Sequence, residues 1–132
     1  KEPKEQISTT EELLNRFNLQ HLRKLNASVL SGGERARVAL SRIMINKPKV
    51  ILLDEILGNM DPLIIQDIQK YIVKIQSLGS AIMITDHQVQ NLFNIVDRVY
   101  VLGDQTIIAE GTPSEVVKSS KAIEQYFGKQ SH

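Results

Sequence analysis

The sequence predicts an α/β fold with a parallel sheet at its core, and three observations carry that prediction. Residues 50–53 (Val-Ile-Leu-Leu) and 81–85 (Ala-Ile-Met-Ile-Thr) are short, unbroken apolar runs bounded by turn residues, the pattern of strands buried on both sheet faces. Between them Ile65, Ile68, Ile72 and Ile75 recur at helical spacing along one stripe. Strand, helix, strand in that order makes a crossover unit, which is right-handed when its strands lie parallel in one sheet.

Each element has a local reason. Ser8, Thr9 or Thr10 can cap a short helix over 11–17, with Leu13, Leu14 and Phe17 on one face, followed by a connection through Leu22 and Leu25. Leu30-Ser31-Gly32-Gly33-Glu34 then opens a second helix, with Ala36, Ala39, Leu40 and Ile43 turned inward and Arg35 and Arg42 toward solvent. Asn46-Lys47-Pro48 stops it. Asp61-Pro62 starts the isoleucine-striped helix, with Asp at the cap and Pro at the first helical position, and Gly79 ends it. Downstream, 98–102 and 106–109 read as a hairpin about Gly103-Asp104-Gln105, and 113–117 and 123–127 as short closing helices.

Composition narrows the function classes. Sixteen Lys plus Arg against fifteen Asp plus Glu provide no basic field for nucleic acid, so none is expected as a partner. The absence of cysteine excludes disulfide staples and thiolate metal sites. No apolar run approaches the roughly 20 residues of a membrane-spanning helix, so a membrane role must come through a partner. The first residue is Lys1 and the opening stretch is polar, so the chain is expected to begin inside a longer polypeptide.

Three constellations carry chemistry. Ser31, Gly32 and Gly33 sit where a helix begins, and a helix N-terminus favours a phosphate through its dipole and its unpaired amides. The competing role is a capping box, in which Ser31 and Glu34 satisfy each other's backbone donors and no ligand is needed. Asp54 and Glu55 end the first strand at the carboxyl edge of the sheet, where ligands bind in open α/β folds. Strand alternation separates their directions, so Asp54 can hold a Mg²⁺ shell while Glu55 orients and deprotonates a water; the bland reading is a solvated acidic turn. His87 ends the second strand in Thr85-Asp86-His87, on the same edge, able to hydrogen-bond a transferring phosphoryl group or merely to lie at the surface. His21 and His132 have only the surface reading.

The order of these motifs resembles the ATP-binding-cassette (ABC) ATPase family, from about residue 13 onward. Residues 30–34 look like the family signature, usually ending in Gln; 50–55 like the Walker B strand with the catalytic carboxylate; Gly58-Asn59-Met60-Asp61 like the D-loop; and His87 like the switch histidine. The resemblance implies part of a P-loop NTPase-like domain: residues 1–46 end a helical subdomain bearing the signature, and 47–132 hold the remaining motifs, a C-terminal hairpin and flanking helices. It also implies ATP and Mg²⁺ as cofactors. Glu55 and His87 would then be catalytic and Asp54 would support the metal. Ser31, Gly32, Gly33, Glu34 and Asp61 would serve nucleotide across a head-to-tail homodimer of ATPase subunits.

Within the family, 84–89 (Ile-Thr-Asp-His-Gln-Val), 109–115 and Tyr126-Phe127-Gly128 are similar to the lipopolysaccharide-export branch. That implies a cytoplasmic subunit, peripheral on the inner membrane beneath transmembrane transporter subunits. Branched-chain amino-acid importers share much of the pattern. The sequence also departs from the family. No Gly-x-x-x-x-Gly-Lys-[Ser/Thr] occurs, so the missing N-terminal half with the phosphate loop is expected in an adjoining upstream segment or a companion chain, and this chain alone is not expected to hydrolyse ATP. Ile56 stands where proline commonly follows the catalytic Glu, and Asn59-Met60 are unusual for a D-loop. Two other roles stay open: a truncated product that only associates with partners, and a soluble ABC protein of DNA repair or translation. Balanced charge and the lack of a coiled-coil insertion disfavour the last.

Overall fold

The computed structural model describes residues 3–103 and 105–119. The chain forms two compact units, Lys1–Asn91 and Leu92–His132. In the first, α1 spans Pro3–Arg16, α2 Gly32–Met44, β1 Val50–Asp54, α3 Pro62–Ser77 and β2 Ala81–Thr85. Helix α1 begins well before the expected 11–17: Pro3 suits a first helical position, and Lys4, Glu5 and Gln6 are good helix formers that carry the helix through Ser8, Thr9 and Thr10. Local propensity outweighed the capping preference of those hydroxyls.

Phe17 and Leu19, each 1% exposed, anchor the end of α1, with the Phe17 ring stacked on Tyr71 of α3 at 5.4 Å. On α2 the buried side is Gly33, Ala36, Leu40, Ser41 and Met44. Ala39 is exposed and Ile43 half-buried, so the inward face is rotated from the one expected. The reason is that α2 packs on α3, and the close approach of the two helices at Gly33 sets its rotation. All four stripe isoleucines of α3 are buried, and Asp61 caps the helix by accepting the Leu63 amide at 2.8 Å.

Strands β1 and β2 pair in parallel, Val50 beside Ala81 through Asp54 beside Thr85. Buried Ser80 sets the start of that register by donating its hydroxyl to the Pro48 carbonyl at 2.7 Å. The expectation of strands covered on both faces is corrected here. Ile51 and Leu53 are buried, but Val50, Leu52 and Met83 are 64%, 72% and 63% exposed. Alternating side chains face opposite sides of a sheet, and within this unit only one side is covered.

In the second unit, β3 (Val99–Gly103) and β4 (Thr106–Gly111) form the expected hairpin, antiparallel, with β3 shifted one residue later than expected and β4 running two residues further. A register shift after Val101 leaves Ile108 as an extra residue, and Gln105 turns the chain at φ +63. Helix α4 (Pro113–Lys118) covers one hairpin face, with Val116 and Val101 packed among Val99, Ile108 and Ala109. A Thr112–Glu115 capping box opens it. The helix expected over 123–127 lies outside the described residues.

Candidate functional site

Two groups of predicted residues come from the first unit. At the start of α2, Ser31 is the N-cap, its hydroxyl accepting the Glu34 amide at 3.3 Å while its own amide donates to Glu34 Oε2 at 2.8 Å. The capping box is therefore formed. The Ser31 amide bond, with help from the Ser31 hydroxyl and smaller contributions from His21 and Arg37, holds the Glu34 carboxyl below its ordinary value. His21 Nε2 lies 3.8 Å from Glu34 Oε1, a contact sequence reasoning did not give it. It arises because the turn after α1 brings residue 21 over the start of α2, a tertiary event with no local signal.

The two glycines differ. A side chain on Gly32 would meet nothing within 4 Å, and its amide, at the first helical position, has no acceptor within the helix. Gly33 is buried, and a Cβ there would stand 2.6 Å from Ile64 Cγ2. Gly33 thus has a packing duty whatever it does for a ligand. Ser31, Gly33, Glu34, Arg37, Leu63, Ile64 and Asp67 line a shallow depression, with Arg37 Nε 3.9 Å from Asp67 Oδ2. Arg37 also lies over the Tyr71 ring at 6.0 Å and reaches the Asn18 carbonyl at 3.4 Å, tying together three segments. The sequence reading assigned it nothing, because helical spacing alone does not distinguish an arginine used for packing from one in solvent.

The second group stands at the carboxyl ends of β1 and β2. Asp54 points to the uncovered sheet face, and its Oδ1 accepts the Thr85 hydroxyl at 2.5 Å. Glu55 leaves the strand in the left-handed region, at φ +48, which a non-glycine residue adopts only at a cost. Its amide donates to the Thr85 carbonyl at 3.1 Å and Thr85 Oγ1 at 3.2 Å, and its carbonyl accepts the Gly58 amide at 3.2 Å. This turn swings the Glu55 carboxylate across to His87, with Oε1 3.9 Å from Nδ1 and both side chains more than half exposed. Gly58 lies close to both, its Cβ position 3.4 Å from the Glu55 carbonyl and 3.9 Å from His87 Cε1. Asp61 does not join this group; its carboxylate is engaged as the α3 cap. Asp86 accepts the Gln88 amide through Oδ1, and its buried Oδ2 has no partner among the described residues.

Among the described residues no three metal-ligating side chains gather. The donor set still fits a Mg²⁺ shell completed by phosphates and water, since that ion is commonly held by one or two carboxylates plus substrate oxygens. Asp54 offers one such carboxylate, exposed and anchored through Oδ1 alone.

The first unit thus combines a parallel strand pair, with two carboxylates and a histidine at its carboxyl edge, and a helix opened by Ser-Gly-Gly-Glu, in an α/β arrangement. The ABC transporter family model matches residues 2–58. The chain belongs to the ABC transporter ATPase family. It is 38% identical over 128 residues to the lipopolysaccharide export system ATP-binding protein LptB of Haemophilus influenzae, covering 97% of this chain and 53% of that protein. It is 37% identical over 117 residues to LptB of Escherichia coli, covering 89% and 48%. The ADP conformation of MJ1267, an ATP-binding cassette of an ABC transporter, superposes with a TM-score of 0.87 at 28% identity, over 97% of this chain and 52% of that one. The chain thus spans about half the length of the curated relatives it matches.

Proposed function

We propose that this chain supplies the signature and hydrolysis elements of a transport ATPase, completed by a segment that carries the phosphate loop and by a second copy. The observation that carries the reading is the Glu55–His87 pair, 3.9 Å apart at adjacent strand ends, with Asp54 anchored beside it. In this reading Glu55 takes the proton of the attacking water and His87 hydrogen-bonds the γ-phosphoryl oxygens. Mg²⁺, when bound, neutralises charge developing on the phosphates, and Asp54 is the residue that would hold its shell. The Gly32 amide, at the first position of α2, and the Ser31 hydroxyl would meet the nucleotide held by the opposite copy. The Ser31 hydroxyl already serves the cap, so that contact shares one group between two duties. Asp61, through the backbone it caps, would transmit between the two sites.

The bare face of the β1–β2 sheet supports a completing segment: Val50, Leu52 and Met83 lie there with Asp54, so whatever covers the face also reaches the metal-binding carboxylate. Relatives 37–38% identical are lipopolysaccharide-export ATP-binding proteins, which supports lipopolysaccharide as the transported molecule. It also supports a cytoplasmic location, peripheral on the inner membrane, with transmembrane subunits as partners. Among the described residues no helix is long and apolar enough to cross a membrane. The competing role is that of a chain that only associates with partners.

ATP hydrolysis by this chain alone, and mixed with a half carrying the phosphate loop, separates these readings. Activity confined to the mixture and abolished by Glu55→Gln is expected; assembly without hydrolysis would leave the binding-only role. Restoration of lipopolysaccharide export in cells depleted of their own export ATPase tests the transported molecule, and failure there by a hydrolytically active assembly would reject it.

A further inference from the structure

We propose that Thr85 is a positioning residue for the hydrolytic carboxylates, holding Asp54 with its hydroxyl proton and Glu55 with its oxygen; this rests on the roles given above to those two residues. The parallel register sets Thr85 directly beside Asp54. Its hydroxyl donates to Asp54 Oδ1 at 2.5 Å. The same Oγ1 accepts the Glu55 amide at 3.2 Å. A hydroxyl has one proton to give and lone pairs to accept with, so a single side chain serves both carboxylate residues at once.

Each bond fixes something hydrolysis needs. Holding Oδ1 restricts rotation of the Asp54 carboxylate and leaves Oδ2 for a cation. As a second acceptor for the Glu55 amide, beside the Thr85 carbonyl at 3.1 Å, the hydroxyl helps tie down the residue at which the chain enters the left-handed turn, φ +48, and that turn is what aims the Glu55 carboxylate at His87. Asp54 and Glu55 side chains leave β1 in different directions, so neither can orient the other; Thr85, on the neighbouring strand, contacts both.

Valine at this position matches the shape of threonine but removes donor and acceptor, whereas serine keeps both. Two measurements on Thr85→Val and Thr85→Ser test the role. The Thr85 carbonyl, which also accepts the Glu55 amide at 3.1 Å, is kept in both variants, so in the 132-residue chain without nucleotide or metal amide hydrogen exchange at Glu55 is expected to quicken by up to about fivefold with valine and to stay near the parent rate with serine. In the assembly with the phosphate-loop half, Thr85→Val is expected to lower kcat by roughly tenfold or more, leave KM for ATP nearly unchanged, and raise the Mg²⁺ concentration needed for half-maximal rate. Thr85→Ser is expected to restore all three.

Faster exchange with unchanged kcat would reduce the hydroxyl to a structural contact and overturn the proposal. Equal losses in the serine and valine variants would overturn it too, because the methyl group and not the hydroxyl would then matter. If Glu55→Gln leaves the rate of the assembly intact, the role of Glu55 fails and the proposal fails with it. A rate that needs Glu55 but ignores Thr85→Val rejects Thr85 alone.

Discussion

Gly33→Ala should be destabilising for a reason that can be switched off. The added Cβ would stand 2.6 Å from Ile64 Cγ2, well inside contact distance. Cγ2 is bonded directly to the Ile64 Cβ, itself 3.8 Å away, so only χ1 rotation could move it aside. A β-branched side chain inside a helix is held in one χ1 rotamer about 90% of the time. Relief must therefore come from parting α2 and α3, and overpacking of this kind costs about 1–3 kcal/mol. Against this, alanine gains up to about 1 kcal/mol over glycine in a helix. The net expectation in the parent is a loss of up to about 2 kcal/mol.

In an Ile64→Ala background the obstructing methyl is gone, and the same Gly33→Ala change should be neutral or stabilising by up to about 1 kcal/mol. Urea unfolding of the four chains of this double-mutant cycle gives the coupling, expected at about 1–3 kcal/mol. Equal effects of Gly33→Ala in both backgrounds, within about 0.5 kcal/mol, would refute the steric account. The cycle also bears on function. If Gly33 serves a nucleotide only through its backbone, the double variant should keep hydrolysis in the assembly.

Two further outcomes follow from the geometry. Glu34 and Glu115 are both held below the ordinary carboxylate value of 4.5, chiefly by the backbone amides of Ser31 and Thr112. Depressed carboxyls bind protons less readily when folded, so the stability they lend is complete above about pH 4.5 and is lost as pH falls through and below it; unfolding midpoints measured from about pH 7 to about pH 3 should show this, and Glu34→Gln with Glu115→Gln should flatten that part of the curve. On the bare sheet face, Leu52→Glu with Met83→Lys should change the stability of the chain alone by no more than about 0.5 kcal/mol per site, because both side chains are already exposed. The pair should reduce binding of an apolar-surface dye and self-association, and should block assembly with the phosphate-loop half; a variant that assembles normally would show the face is not used.

Much of the architecture was legible because its signals are local. The isoleucine stripe, the Asp61-Pro62 start, the two apolar runs and the hairpin each depend on residues close in sequence, and each formed where expected. The same holds for the Ser31–Glu34 capping box, whose two members are three residues apart. Helix α1 starts ahead of Ser8 because the helix-forming residues there outweigh its capping preference.

The sequence by itself singled out the candidate residues and the order in which strands deliver them: Asp54 and Glu55 at one strand end, His87 past the next. Tertiary structure alone decided that Glu55 enters a left-handed turn and faces His87, that one threonine hydroxyl serves both carboxylate residues, that Gly33 is a packing contact against Ile64, and that one sheet face lies bare. The physical reason is range. Propensity, capping and periodicity act over a few residues, whereas these contacts join residues about thirty apart, brought together only when β1 and β2 pair and α2 meets α3.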